Sequence, residues 1–112
     1  MAKKKVNFKD LTERLLDFFS SHITVDSLIL FGSYAYGRPH EFSDIDIAVI
    51  SEDLEKMSFF KKIKLFAKAA SVIDIRIELL GFSKKDYLHP EDASFLSLIK
   101  KKGKILFKGA KK

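Results

Sequence analysis

The chain has 112 residues, a formal net charge of +6, 46 % hydrophobic and 32 % charged residues, and no cysteine. That length suits a single domain over residues 1–112 with one modest core, about 10–108, between lysine-rich flexible ends. The absence of cysteine excludes a disulfide framework and a thiolate zinc site. No apolar run approaches the ~20 residues of a membrane-spanning helix, and no apolar segment follows Lys3, Lys4 and Lys5, so a cytoplasmic protein that does not engage a membrane is expected. Much of the positive charge sits in those lysines and in Lys100, Lys101, Lys102, Lys104, Lys108, Lys111 and Lys112. Terminal lysines of this kind more often solubilise than bind, and no aromatic-rich nucleic-acid motif is interleaved with them, so nucleic-acid binding is left open.

In chain order, Phe8, Leu11, Leu15, Phe18 and Phe19 recur at helical spacing and predict a helix over 7–21. Val25 to Phe31 is a predicted strand stopped by Gly32, followed by a short helical turn at Ser33 to Tyr36 and a proline-bearing loop at 38–43. A second strand covers Asp44 to Ile50. Period then predicts a helix from Glu52 to Ala70, with Ser51 as its N-cap and Phe59, Phe60 and Phe66 in the core. Val72 to Leu80 alternates apolar and charged residues and predicts a third strand ended by Gly81. Short helices at 83–88 and 90–101 and a last strand at Ile105 to Phe107 complete the chain, with Phe82 and Tyr87 as candidates for an exposed partner surface. The expected fold is α/β: a small mixed sheet of three to four strands with helices packed on one face.

The most informative stretch runs from Leu30 to Val49, where an apolar run ends in Gly32-Ser33 and Asp44 and Asp46 later alternate with Ile45 and Ile47. On a strand, residues two apart share a face, so the two carboxylates stand side by side. Their mutual repulsion is relieved by a hard divalent cation with a preference for oxygen ligands, and magnesium is the simplest choice. Gly32 permits close backbone approach, and the Ser33 hydroxyl and amide can hold phosphate oxygens. Tyr34 and Tyr36 are expected to pack on the short helix, and His40 is expected to be an exposed loop residue.

Gly32-Ser33, Gly37, Ser43, Asp44 and Asp46 resemble, in identity and spacing, the signature of the nucleotidyltransferase superfamily. The short chain looks like the minimal nucleotidyltransferases, or MNT proteins, many of which are paired as antitoxins with a small helical HEPN toxin. The resemblance implies a polymerase-β-like core and transfer of a nucleoside monophosphate, most plausibly AMP from ATP, to a hydroxyl acceptor. It implies Mg²⁺ at Asp44 and Asp46, and a third carboxylate from a neighbouring strand. Asp74 is the first choice for that position, since Val72-Ile73-Asp74-Ile75 resembles the family's apolar-Asp-apolar strand, and Glu78 on the same face is the runner-up. A solvent-facing ion ladder through Asp74, Arg76 and Glu78 is the alternative. Gly32, Ser33, Arg38 and Ser43 are the candidates for nucleotide binding. Many minimal nucleotidyltransferases carry arginines where this chain has Tyr34 and Tyr36, which leaves triphosphate neutralisation to Arg38 or to lysines. The acceptor side is expected to come from a HEPN-type partner or a second copy of the chain. A catalytically weak antitoxin that acts by covering its partner, and a stand-alone transferase for a small molecule, are the competing functions.

Overall fold

The computed structural model describes residues 6–39 and 43–109. Leu11, Leu15 and Phe19 form the buried stripe of α1 (Phe8–Phe19), which starts where the Asn7 side chain accepts the Asp10 amide at 3.0 Å. β1 (Ser27–Phe31) leads through α2 (Ser33–Tyr36) to β2 (Ile45–Ile50), and the two strands pair antiparallel with Phe31 opposite Asp46. A 3₁₀ helix (Glu52–Lys56), α3 (Phe59–Ile73), β3 (Ile77–Phe82), α4 (Lys84–Leu88), α5 (Phe95–Lys102) and β4 (Lys104–Lys108) follow. The sheet has four strands in the order β3-β2-β1-β4, with β3 parallel to β2 and the other pairs antiparallel, so the expected mixed α/β sheet is present.

Strand parity sorts side chains into two cores. Leu28, Leu30, Ile45, Ile47, Val49 and Ile77 meet α1 and α3 on one face. Ile29, Phe31, Ala48 and Ile50 point the other way and meet Ile99 of α5. Helix cover therefore extends to both faces, where one was expected: Gly103 lets β4 return beside β1 and holds α5 against it, since a Cβ there would press on Ile29 and the Ile99 carbonyl.

Further expectations change. The helix expected over 52–70 is divided, because Met57 is extended and Ser58 caps a new helix by accepting the Lys61 amide at 3.2 Å. α3 then runs on to Ile73, so the strand expected from Val72 begins at Ile77, and Gly81 lies inside it rather than ending it. A Cβ on Gly81 would stand 2.8 Å from Leu54 and from the Phe66 ring, which explains the glycine there. Phe66 packs edge-on against Phe19 as a core residue, but Phe59 and Phe60 are 69 % and 76 % exposed. Phe82 and Tyr87, by contrast, are partly buried and pack against the second core. The helix expected from Pro90 starts at Phe95.

Burial separates these phenylalanines in a measurable way. Phe19→Ala should cost about 3–5 kcal/mol in urea denaturation, as truncation of a large core side chain does. Phe60→Ala should stay within ~0.5 kcal/mol of the parent.

Candidate active site

The site forms where β1 ends and β2 begins. Gly32 follows Phe31 with φ 73° and ψ −153°, a conformation open essentially to glycine alone. A Cβ at Gly32 would collide with the Oδ2 atom of Asp46, so the turn lies directly on that carboxylate. The Gly32 carbonyl accepts the Ala35 and Tyr36 amides, each at 3.0 Å, and closes the one turn of α2. The amides of Ser33 and Tyr34, first in that turn, have no carbonyl of their own helix to bond and are donors suited to phosphate oxygens. Tyr34 packs its ring edge on Phe8 at 5.9 Å, as expected, whereas Tyr36 is 41 % exposed.

Asp46 lies on β2 and the exposed Asp44 just before it, on the same face. Parallel pairing sets Glu78 of β3 opposite Asp46. The three carboxylates influence one another. Burial, followed by the nearby Asp44 charge, raises the Asp46 pKa above its ordinary value. The Glu78 pKa is raised chiefly by a hydrogen bond with Asp44, then by burial and by the charges of Asp44 and Asp46. Part of each shift comes from the negative charge of its neighbours on one end of one sheet face.

Asp74 is placed differently from the expectation. It ends α3 as its C-cap, before β3 starts, and is not on the strand. The Arg76 guanidinium holds both of its oxygens, Nε at 3.0 Å and Nη2 at 2.7 Å, and the Arg76 amide adds a third bond at 2.9 Å. The Arg76 hydrogen bond is the main cause that lowers the Asp74 pKa. The structure thus brings Gly32, Ser33, Asp44 and Asp46 together with Glu78, and keeps Asp74 in a local ion pair. Ser43 is buried directly before Asp44, Arg38 is exposed after α2, and His40 lies outside the described residues. Sequence reasoning put Asp74 on a strand because helical period did not reveal that α3 continues to Ile73. It also missed Phe31, which flanks Asp46 on β1.

Among the described residues, no three His, Asp and Glu side chains are disposed to hold a metal ion by themselves. The donor set nonetheless fits magnesium bound with substrate, since that ion takes one or two carboxylates and completes its shell with water and phosphate oxygens. The crowded carboxylates, with the amides of the turn beside them, match that requirement.

Comparison with known proteins agrees with this geometry. The family model described as "Polymerase beta, Nucleotidyltransferase" matches residues 13–112. A Methanocaldococcus jannaschii protein that bears the name "Putative protein adenylyltransferase" is 29 % identical over 82 residues, which is 73 % of this chain and 80 % of that protein. A crystal structure of a toxin–antitoxin with AMP-PNP is 26 % identical, with TM-score 0.61, over 93 % of this chain and 75 % of its own. The complex of the tri-AMPylated Shewanella oneidensis HEPN toxin with its MNT antitoxin shares the fold at 23 % identity and TM-score 0.58, over 92 % of this chain and 74 % of its own.

Two substitutions test the local architecture. Gly32→Ala should cost about 1–3 kcal/mol from the glycine-only backbone, and more where the Asp46 side chain is displaced. Asp74 stabilises the fold while it is ionised and paired with Arg76. Because its folded pKa is depressed, that contribution is present above the unfolded value of about 3.9 and is lost as pH falls through the folded value. The stability difference between the parent and Asp74→Asn should therefore be constant near neutrality and vanish in the acid range, as followed by urea denaturation at stepped pH.

Proposed function

The chain belongs to the polymerase β nucleotidyltransferase family, and on that premise we propose that it transfers AMP from Mg²⁺-ATP to a hydroxyl of a HEPN-type helical partner, as that partner's antitoxin. The observation that carries the proposal is the strand register, which aligns Glu78 with Asp46 and sets Asp46 against the Gly32-Ser33 turn. Adenylyl transfer to protein is supported by the adenylyltransferase name of the Methanocaldococcus jannaschii relative, and a toxin partner by the toxin–antitoxin crystallised with AMP-PNP.

The reaction is an in-line displacement in which the acceptor oxygen bonds to the α-phosphorus while the bond to the β-phosphate breaks and pyrophosphate leaves. Asp44 and Asp46 would hold Mg²⁺, which would supply charge neutralisation at the phosphate oxygens. Ser33 and the amides of the turn after Gly32 grip the triphosphate and keep its α-phosphorus over the carboxylate pair. Ser43, directly before Asp44, helps to set that carboxylate, and Arg38 beyond α2 adds positive charge on the phosphate side. Glu78 takes the third carboxylate position in place of Asp74. It stands in register with Asp46 and receives the proton of the acceptor hydroxyl.

A second reading, a binding module that neutralises its partner by covering it, is favoured by one surface. Phe59, Phe60 and Ile63 are exposed at the start of α3, which carries lysines and no acidic residue. Such a surface suits an acidic partner with an apolar face.

Purified protein is incubated with labelled ATP, Mg²⁺ and the candidate HEPN protein, and adducts are located by mass spectrometry. AMP should appear on a partner hydroxyl. Asp44→Asn with Asp46→Asn should abolish it, and Glu78→Gln should slow it by about 10²–10⁴-fold, the usual worth of a general base. Asp74→Asn should transfer within a few-fold of the parent. If the double Asn variant neutralises the partner as well as the parent does, the binding reading prevails. If Asp74→Asn abolishes transfer while Glu78→Gln preserves it, the assignment of the third carboxylate is overturned.

A further inference from the structure

The row that carries the carboxylates continues across the sheet. Asp46 has Glu78 as its partner on β3 and Phe31 as its partner on β1, so the Phe31 ring stands on the carboxylate face, beside Asp46. Phe95, the first residue of α5, closes over Phe31 edge-on, with ring centroids 5.5 Å apart and planes at 84°. Phe31 is thereby buried, but Phe95 keeps 50 % of its surface exposed. It also lines a cavity of about 440 Å³ with Phe82, Asp86, His89, Pro90, Glu91 and Ser94. That volume lies within the range of about 300–1,000 Å³ typical of small-molecule sites.

The backbone ahead of Phe95 is held in an uncommon conformation. Ala93 has φ 58°, the one positive value at a residue other than glycine among the described residues. Ser94 follows as the cap of α5, its hydroxyl accepting the Ser97 amide at 3.0 Å. The left-handed turn and the cap lie directly ahead of Phe95, whose ring meets Phe31. Strain of this kind concentrates where a side chain must be held for function.

We infer that the exposed face of Phe95 is the stacking platform for the nucleobase of the transferred nucleotide, and so a specificity-determining residue of the reaction. The inference rests on the transfer reading above. With its phosphates at Ser33 and its α-phosphorus over Asp44 and Asp46, a nucleotide must send its base toward one neighbour of Asp46 on the sheet. The β3 side offers carboxylate and the β1 side offers aromatic surface. Bases stack on aromatic rings whatever their edge pattern, so the platform accepts any base and holds a purine, with its larger π-face, more firmly than a pyrimidine.

Calorimetric titration of the full chain with Mg²⁺-AMP-PNP and with Mg²⁺-tripolyphosphate, which has phosphates but no base, tests this. Phe95→Leu keeps apolar cover on Phe31 and removes the ring; it should bind AMP-PNP about tenfold more weakly, in line with the loss of one base–aromatic stack, and tripolyphosphate unchanged. Phe95→Trp should keep AMP-PNP affinity. Because the chain has no tryptophan, its indole emission should be quenched by AMP-PNP and not by tripolyphosphate. Equal AMP-PNP affinity in the parent and Phe95→Leu, or emission of Phe95→Trp indifferent to AMP-PNP, overturns the platform and leaves the transfer reading standing. A parent that binds neither ligand overturns both.

Discussion

The antiparallel pairing of Phe31 with Asp46 is the constraint on which the site depends. It ends β1 beside the start of β2, so the turn after Phe31 must pass over a carboxylate. Only a residue without a Cβ, at a φ of 73°, makes that passage. From this one contact follow the direction of the Ser33 and Tyr34 amides and the position of Asp44, two residues before Asp46. The candidate phosphate grip and the candidate cation ligands are thus not two features that happen to be close. They are the two sides of one strand pairing, and a change of register would separate them.

Gathering three carboxylates at one end of a sheet opposes folding, and the shifts of Asp46 and Glu78 record that opposition. Asp74 shows the contrast. It is the same residue type on the same side of the chain, but Arg76 neutralises it, and its pKa moves down rather than up. Among the described residues this is the one ion pair. A carboxylate already satisfied by a guanidinium has little to offer a cation, while crowded carboxylates gain most from one. Environment, more than residue type, distinguishes the structural acid from the candidate ligands.

Much of this was legible in the chain because it is local. Gly32-Ser33 and the alternation of Asp44, Ile45, Asp46 and Ile47 carry their geometry in their spacing, and β1, α2 and β2 lie within two residues of their expected bounds. The end of α3 is a long-range fact. Val72, Ile73 and Ile75 fit a strand in sequence, whereas in the structure Ala69 and Phe66 pack in the core and α3 continues to Ile73. With the strand starting at Ile77, Glu78 and not Asp74 stands in register with Asp46. Phe59 and Phe60 misled for a related reason: they hold helical spacing with Phe66, but Ser58 starts the helix so that they lead its solvent side. Phe95 carried no signal at all, since its partner Phe31 is 64 residues away in sequence and the two meet only because α5 folds back over β1.

Strand parity explains how so small a sheet serves both stability and chemistry. Along β2, Ile45, Ile47 and Val49 point into the larger core, while Asp46, Ala48 and Ile50 point to the other face. The first set needs only apolar volume, and its burial under α1 and α3 anchors the strand. The second set is then free to change character along its length, from carboxylate at Asp46, through a small residue at Ala48, to apolar Ile50 beneath the second core. A slip of one residue would exchange the two sets, drive Asp46 into the apolar interior and expose Ile47. The penalty for burying an unpaired carboxylate makes that register inaccessible, so the acidic residues that burden the folded state also help to specify it.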